Sequence, residues 1–262
     1  MAVLVADVTM MNDDIMAEDE KQTILGSYLA PLTQAHTIAP QSTTELMLGR
    51  ETIGLRFEVD NDSPPWALTQ SSSERAYRLL RDDLSLPADV VDENWAPVPD
   101  QWASGSVGGG RLWVCNWIDV SKYVNLLPLT SIDILSLVPN VVSLFATAEA
   151  WMSAFGVARR VERLSASYLR CIDLFSALTR ISDGTGEPSL FPRLSTLVFV
   201  AERYILDEHQ ALSTAADIYL KDILLVRKEA GAPIRHIYVD KTLSSWSIWA
   251  EVDCETVVSF FE

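Results

Sequence analysis

The sequence predicts an α/β fold, an irregular solenoid in which short strands alternate with helices, and three observations predict it. Four segments share one apolar-x-x-apolar-x-apolar pattern: Val141–Ala146, Val161–Ala166, Leu194–Phe199 and Ile234–Val239. Pro139, Pro192 and Pro233 stand one or two residues upstream of three of them. Each segment is followed by turn residues and then by apolar residues at helical spacing. Segment starts lie 20, 33 and 40 residues apart, lengthening toward the C-terminus.

A strand followed by a helix cannot bury its apolar side alone. Stacking successive units buries a shared core between a parallel sheet and a layer of helices. Alternate strand residues then point inward and the others outward. That is the physics of a leucine-rich-repeat-like solenoid. The asparagine that closes the strand in regular repeats is missing from all four segments. A non-repetitive α/β domain shows some of the same alternation and stays open as an alternative.

Taken in order, residues 1–48 are polar and acidic and read as a loosely ordered leader with one short helix near Glu18–Tyr28. Thr52–Val59 alternates apolar and polar residues, the signature of a half-buried strand. Asp60–Pro65 stops it, and residues 66–84 have a helical stripe of Trp66, Leu68, Tyr77, Leu79 and Leu80. An irregular loop is expected over 85–111, rich in proline and glycine. Trp95, Trp102, Trp113 and Trp117 lie in or beside it and are expected to pack it onto its own domain. Helical spacing follows over Ser131–Val138, Asp173–Ile181 and Ala211–Lys228. The last carries Leu212, Ala215, Ala216, Tyr219, Leu220, Ile223 and Leu224 on one face and an Asp217–Lys221 pair on the other. Gly231 and Pro233 close it. The domain organisation expected is thus a leader (1–48), a repeat-like α/β domain (49–245) and a C-terminal segment (246–262).

The chain has 262 residues, 48% of them apolar, enough for a sizeable core. Its 36 acidic residues outnumber 20 basic ones, for a formal charge of -16. Such a field repels phosphate backbones and anionic headgroups, so no nucleic-acid or membrane partner is expected. Cys115, Cys171 and Cys254 are too few and too scattered for a disulfide framework or zinc site. The N-terminus lacks the basic flank of a secretory signal, and the most apolar stretch, Ile132–Ala148, is interrupted by Asp133, Pro139 and Asn140. A cytoplasmic or nuclear location is expected.

No chemistry is legible. The sequence holds no G-x-S-x-G, no phosphate-binding G-x-x-x-x-G-K-[ST] and no H-E-x-x-H. Gly105–Gly110 is glycine-rich without dinucleotide-binding spacing. Asp60-Asn61-Asp62 begins like a calcium loop, but Pro64 and Pro65 follow where glycine and further ligands belong. His36, His209 and His236 are the only histidines, and none stands at metal-ligand spacing from another. No catalytic, cofactor-binding or metal-binding residue is expected. An enzyme is not the expectation; the alternatives are a hydrolase-like α/β enzyme whose site is assembled from scattered residues, or a degenerate relative without activity.

Some phrases have a family likeness. Leu127–Leu144, with its Leu137-Val138-Pro139-Asn140-Val141-Val142-Ser143-Leu144 close, resembles the L-x-x-x-P-N-L/V-x-x-L phrase of the F-box/leucine-rich-repeat-like families of mushroom-forming fungi. Val161–Leu164, Asp173–Thr179, Leu190–Leu197 and Val226–Ile234 follow the same rhythm, and Ser73–Leu79 is similar to that family's S-x-R-W-x-x-L helix with tryptophan replaced. The F-box itself is not seen: Leu86-Pro87-Ala88-Asp89 mimics its opening, but Pro97 and Pro99 cut off the helix that must follow. The resemblance implies a recognition scaffold related to the substrate-binding repeats of F-box-type ubiquitin-ligase adaptors. Its partner would be another protein, with a Skp1-type adaptor engaged only through a cryptic F-box. Ser143, Arg163, Thr196 and Arg235, placed outward on the predicted strands, are the candidate partner contacts.

Overall fold

The computed structural model describes residues 23, 27, 43–48, 52–57, 111–115, 120–137, 139–168, 171–200, 210–253 and 255–261. Among them, eight strands form one sheet in the order β3-β2-β1-β4-β5-β6-β7-β8. The strands are β1 (Thr44–Leu48), β2 (Thr52–Phe57), β3 (Arg111–Cys115), β4 (Ile134–Leu137), β5 (Arg163–Ser167), β6 (Thr196–Val200), β7 (His236–Asp240) and β8 (Val257–Phe261). The helices are α1 (Val120–Tyr123), α2 (Pro139–Val142), α3 (Ala148–Phe155), α4 (Ile172–Leu178), α5 (Gln210–Glu229) and α6 (Ile248–Glu251). Strands β1 and β4 to β8 are parallel, while β2 pairs antiparallel with both β1 and β3. The fold is therefore α/β, and the strand expected over Thr52–Val59 is β2.

From β4 to β8 the order advances one strand at a time, with a helical connection between successive strands. One row of side chains, Leu46, Leu135, Leu164, Leu197 and Ile237, runs in register across the sheet and is buried. A second row adds Leu48, Leu137, Ala166, Phe199 and Val239. The buried apolar residues of the described helices join the same cluster, so the helix layer lies on this face. Phe145, Trp151 and Phe155 form its aromatic centre at one end, with ring centroids 4.8 to 5.3 Å apart. Tyr168, Phe175, Phe199 and Trp249 form another, 4.9 to 6.2 Å apart.

Strand starts are tied by a backbone relay. Asp133 O accepts Glu162 N (2.8 Å) and Arg163 N (3.2 Å), and Glu162 O accepts Ser195 N and Thr196 N, both at 3.0 Å. Ser195 O then accepts Arg235 N (2.8 Å) and His236 N (3.2 Å), and Arg235 O accepts Val257 N at 2.8 Å. The Asp133 carboxylate adds a side-chain tie, taking Thr44 N at 2.9 Å on Oδ2 and Arg160 Nη2 at 2.7 Å on Oδ1.

Three of the four apolar segments become strands as expected: β5, β6 and β7. The fourth does not. Val141 and Val142 end helix α2, and Ser143 to Phe145 form a turn whose amides bond back, Leu144 N to Val141 O and Phe145 N to Val142 O. Pro139 is the physical reason, since its fixed φ suits the first turn of a helix. The same pattern recurs one step earlier as Ile132-x-x-Leu135-x-Leu137, and this is the copy that forms β4. The helix expected over Ser131–Val138 is accordingly a strand, preceded by a 3-10 turn at Leu129–Ser131. Its apolar residues satisfy either period, and pairing on both sides, with β1 and β5, decides for the strand.

Helices α4 and α5 lie where helical spacing placed them. The expected Asp217–Lys221 pair does not form: Asp217 accepts Tyr168 Oη at 2.6 Å, and Lys221 binds Glu251. The sheet also extends past both ends of the 49–245 span, through β1 and through β8. The helix expected at 66–84 and the loop at 85–110 lie outside the described residues, as does the F-box-like opening at 86–89.

Candidate functional site

The face of the sheet turned away from the described helices carries mostly polar residues. Alternation places Glu45, Arg163, Thr196 and His236 on it in one register row, with Ile134 and Val257 between and beside them. The next row holds Ser136, Ser165, Val198, Tyr238 and Ser259. Composition alone does not say which of these residues are open to contact; exposure does.

Exposure divides this face in two. Toward β1, Glu45 and Ile134 are fully buried, Arg163 is 5% exposed and Ser165 9%. Ser136 Oγ donates to Glu45 Oε1 at 2.7 Å, giving the buried carboxylate a partner. Toward β8 the face opens. His236 is exposed, Tyr238 half-buried, and Val257 retains 52% of its accessible area. The His236 and Tyr238 rings lie 6.3 Å apart and within 12° of parallel, an offset stack along one strand. Asp240 ends the same strand and accepts Thr242 N and Oγ1 at 2.9 and 2.8 Å.

Of the four residues expected to make contacts, two are register neighbours on this face: Arg163 on β5 and Thr196 on β6. Arg163 is buried, whereas Thr196 is half-buried at the boundary of the open part. Arg235 is exposed immediately before β7. Ser143 is exposed but not on a strand; it lies in the turn after α2 and does not join the others. Sequence reading missed Tyr238, Val257 and Ser259. Tyr238 follows His236 by two residues, the period that sends both to one side, so that signal was present. Val257 required knowing that a further strand adds beyond β7.

Among the described residues, no group of three or more histidine, cysteine, aspartate or glutamate side chains is arranged to hold a metal ion. Cys171, buried at the start of α4, donates its thiol to Ser167 O. Nor, among the described residues, is any helix long and apolar enough to cross a membrane. No family model, no curated protein and no solved structure matches this chain.

Proposed function

We propose that this chain is a protein-recognition scaffold that works by presenting surface, built on the plan of a leucine-rich-repeat-like solenoid and related to the substrate-binding repeats of F-box-type ubiquitin-ligase adaptors. The observation that carries the reading is the open β7–β8 end of the sheet face opposite the described helices, where stacked His236 and Tyr238 stand beside exposed Val257. Aromatic side chains held on a rigid strand lose little conformational freedom on binding, which favours them as anchors. Strands β4 to β7 each carry their apolar triplet in the same register, and this supports the solenoid plan. The reading includes a cytoplasmic or nuclear setting, where scattered cysteines stay reduced.

The test is affinity capture by the tagged full chain from lysate of a mushroom-forming fungus, the group to which the resemblance points. The wild type is run beside a His236→Ala/Tyr238→Ala variant. Partners held by the wild type and lost by the variant support the proposal. Recovery of Skp1-type and cullin proteins among them adds a cryptic F-box. Identical recovery with both chains, or nothing above background, removes the sheet face as a recognition surface.

A further inference from the structure

At the opposite end of the strands from their C-terminal turns, three connections converge on a cleft of about 400 Å³. Arg159 and Arg160 come from the turn before β5, Glu187 and Arg193 from the turn before β6, and residues 230–232 from the end of α5. Three cations line the cleft with one acid, and Asp133 pairs Arg160 from beside it, which leaves a local surplus of one positive charge in a chain whose formal charge is -16. General solubility does not account for it, because the surplus charge of this protein is negative.

The three guanidinium groups are committed to different degrees. Arg160 gives Nε and Nη2 to Asp133 Oδ1 at 3.1 and 2.7 Å, so the backbone relay at the strand starts fixes its position. Arg159 spends only Nη2, on Glu187 Oε2 at 3.0 Å, in a pair whose side chains are 61% and 55% exposed. Arg193 is exposed and, among the described residues, enters no ion pair. Among the described residues the cleft therefore holds one anchored cation, one loosely held by an internal carboxylate, and one without an ion pair.

We propose that this cleft binds an acidic side chain of a partner peptide, its carboxylate or phosphate oxygens gripped by Arg193 and Arg159 with Arg160 as fixed support. Guanidinium forks match such oxyanions in geometry, and Glu187 already occupies Arg159 as a carboxylate would. A single acidic side chain is favoured over a nucleic-acid strand, since the long-range negative field opposes a polyanion while a short-range fork still accepts one local charge. The site is separate from the His236–Tyr238 face and stands whether or not that face binds.

The test is fluorescence polarisation of the full chain with three labelled peptides identical except at one position: phosphoserine, glutamate or serine. Binding of the phosphoserine or glutamate peptide at least roughly tenfold tighter than the serine peptide is expected, the size of one charge-assisted hydrogen bond. Arg193→Gln weakens that binding about tenfold, and Glu187→Gln strengthens it by releasing Arg159. Lys221→Gln, which removes a cation elsewhere on the surface, leaves it unchanged. A gain with Glu187→Gln cannot come from misfolding. No binding, equal binding of the serine peptide, or equal weakening by Arg193→Gln and Lys221→Gln would overturn the proposal.

Discussion

Arg227 is fully buried on α5, and its position there is set by helical spacing: Ala216, Leu220, Ile223 and Arg227 form one buried stripe. Instead of a carboxylate it meets carbonyls, donating to Leu190 O at 3.3 Å, Phe191 O at 2.8 Å and Leu194 O at 3.2 Å. Burial lowers its pKa to about 10, still well above neutrality, so the charge persists. The turn it holds contains Phe191 at φ 48, a left-handed conformation that a bulky residue adopts only when its surroundings impose it. Phe191 buries its ring against Phe155, and Arg227 fixes the backbone. Arg227→Met keeps the stem and drops the donors, and a loss of about 3 kcal/mol in urea unfolding is expected; a loss under about 0.5 kcal/mol would show that the carbonyls find other donors. Tyr168 offers a pH-dependent counterpart. Burial first, then its bond to the Asp217 carboxylate, raises its pKa above the ordinary phenol value of 10. A group whose pKa is raised on folding stabilises fully below its unfolded value and loses that contribution as pH climbs through the folded one. Stability should hold to about pH 10 and then fall, and Tyr168→Phe should flatten that fall at some cost at neutral pH. Absorbance at 295 nm checks the assignment: the wild type should hold one more tyrosine resistant to ionisation until the chain unfolds than Tyr168→Phe does.

At the scale of elements, the end of α5 shows how far local chemistry specifies structure. Gly231 has φ 73; its N–H bonds Lys228 O at 3.1 Å, and Ala232 N bonds Arg227 O at 2.9 Å. That is a Schellman closure, and Pro233 forbids a return to helix. Gly231→Ala should cost about 1–2 kcal/mol and Gly231→Asn less, because asparagine tolerates the left-handed region. Equal melting temperatures for the two variants would contradict a backbone origin. This stop, α4, α5 and β5 to β7 were legible because glycine, proline and apolar period are written within a few residues of where they act. Ile132–Leu137 was not, since the apolar residues there suit helix and strand alike and the deciding partners, β1 and β5, begin 90 residues before and 29 residues after Ile134. Asp217 and Lys221 were correctly placed on one helix face, yet Tyr168 and Glu251 outcompete their mutual pairing. An exposed i,i+4 pair yields only about 0.3–0.5 kcal/mol and is easily displaced. For the candidate site, period-2 alternation located Thr196 and His236 on one face; which part of it stays open depends on what lies beside each strand, information that no local window holds.

On the scale of the molecule, the sheet unites segments that composition assigns to different parts of the chain. Thr44–Leu48 sits at the end of a polar, acidic stretch, carries only Leu46 and Leu48 in strand alternation, and includes Glu45, so it reads as leader. In the fold it is an interior strand between β2 and β4, with Leu46, Leu48 and Glu45 all fully buried. Leu46 stands in register with Leu135, and through it with Leu164 and Leu197, in the row that faces the helix layer. If that row is one core, truncating its first member must cost as much as truncating a central one. Leu46→Ala and Leu197→Ala should each lower stability by about 3 kcal/mol, the usual range for a buried leucine that leaves a cavity. Val258→Ala, in the same row but on the half-buried edge strand, should cost about 1 kcal/mol, since less apolar area is lost from contact. Urea unfolding followed by circular dichroism separates the cases, provided the denaturant slope is the same for all three variants. A Leu46→Ala effect below about 0.5 kcal/mol would mean that β1 is peripheral and that the core begins at β4. A loss matching Leu197→Ala would instead make the first strand part of the same cooperative unit as β4 to β7. The sheet face opposite the described helices would then have to be counted from Glu45 onward, with its buried end and its open aromatic end carried on one rigid sheet.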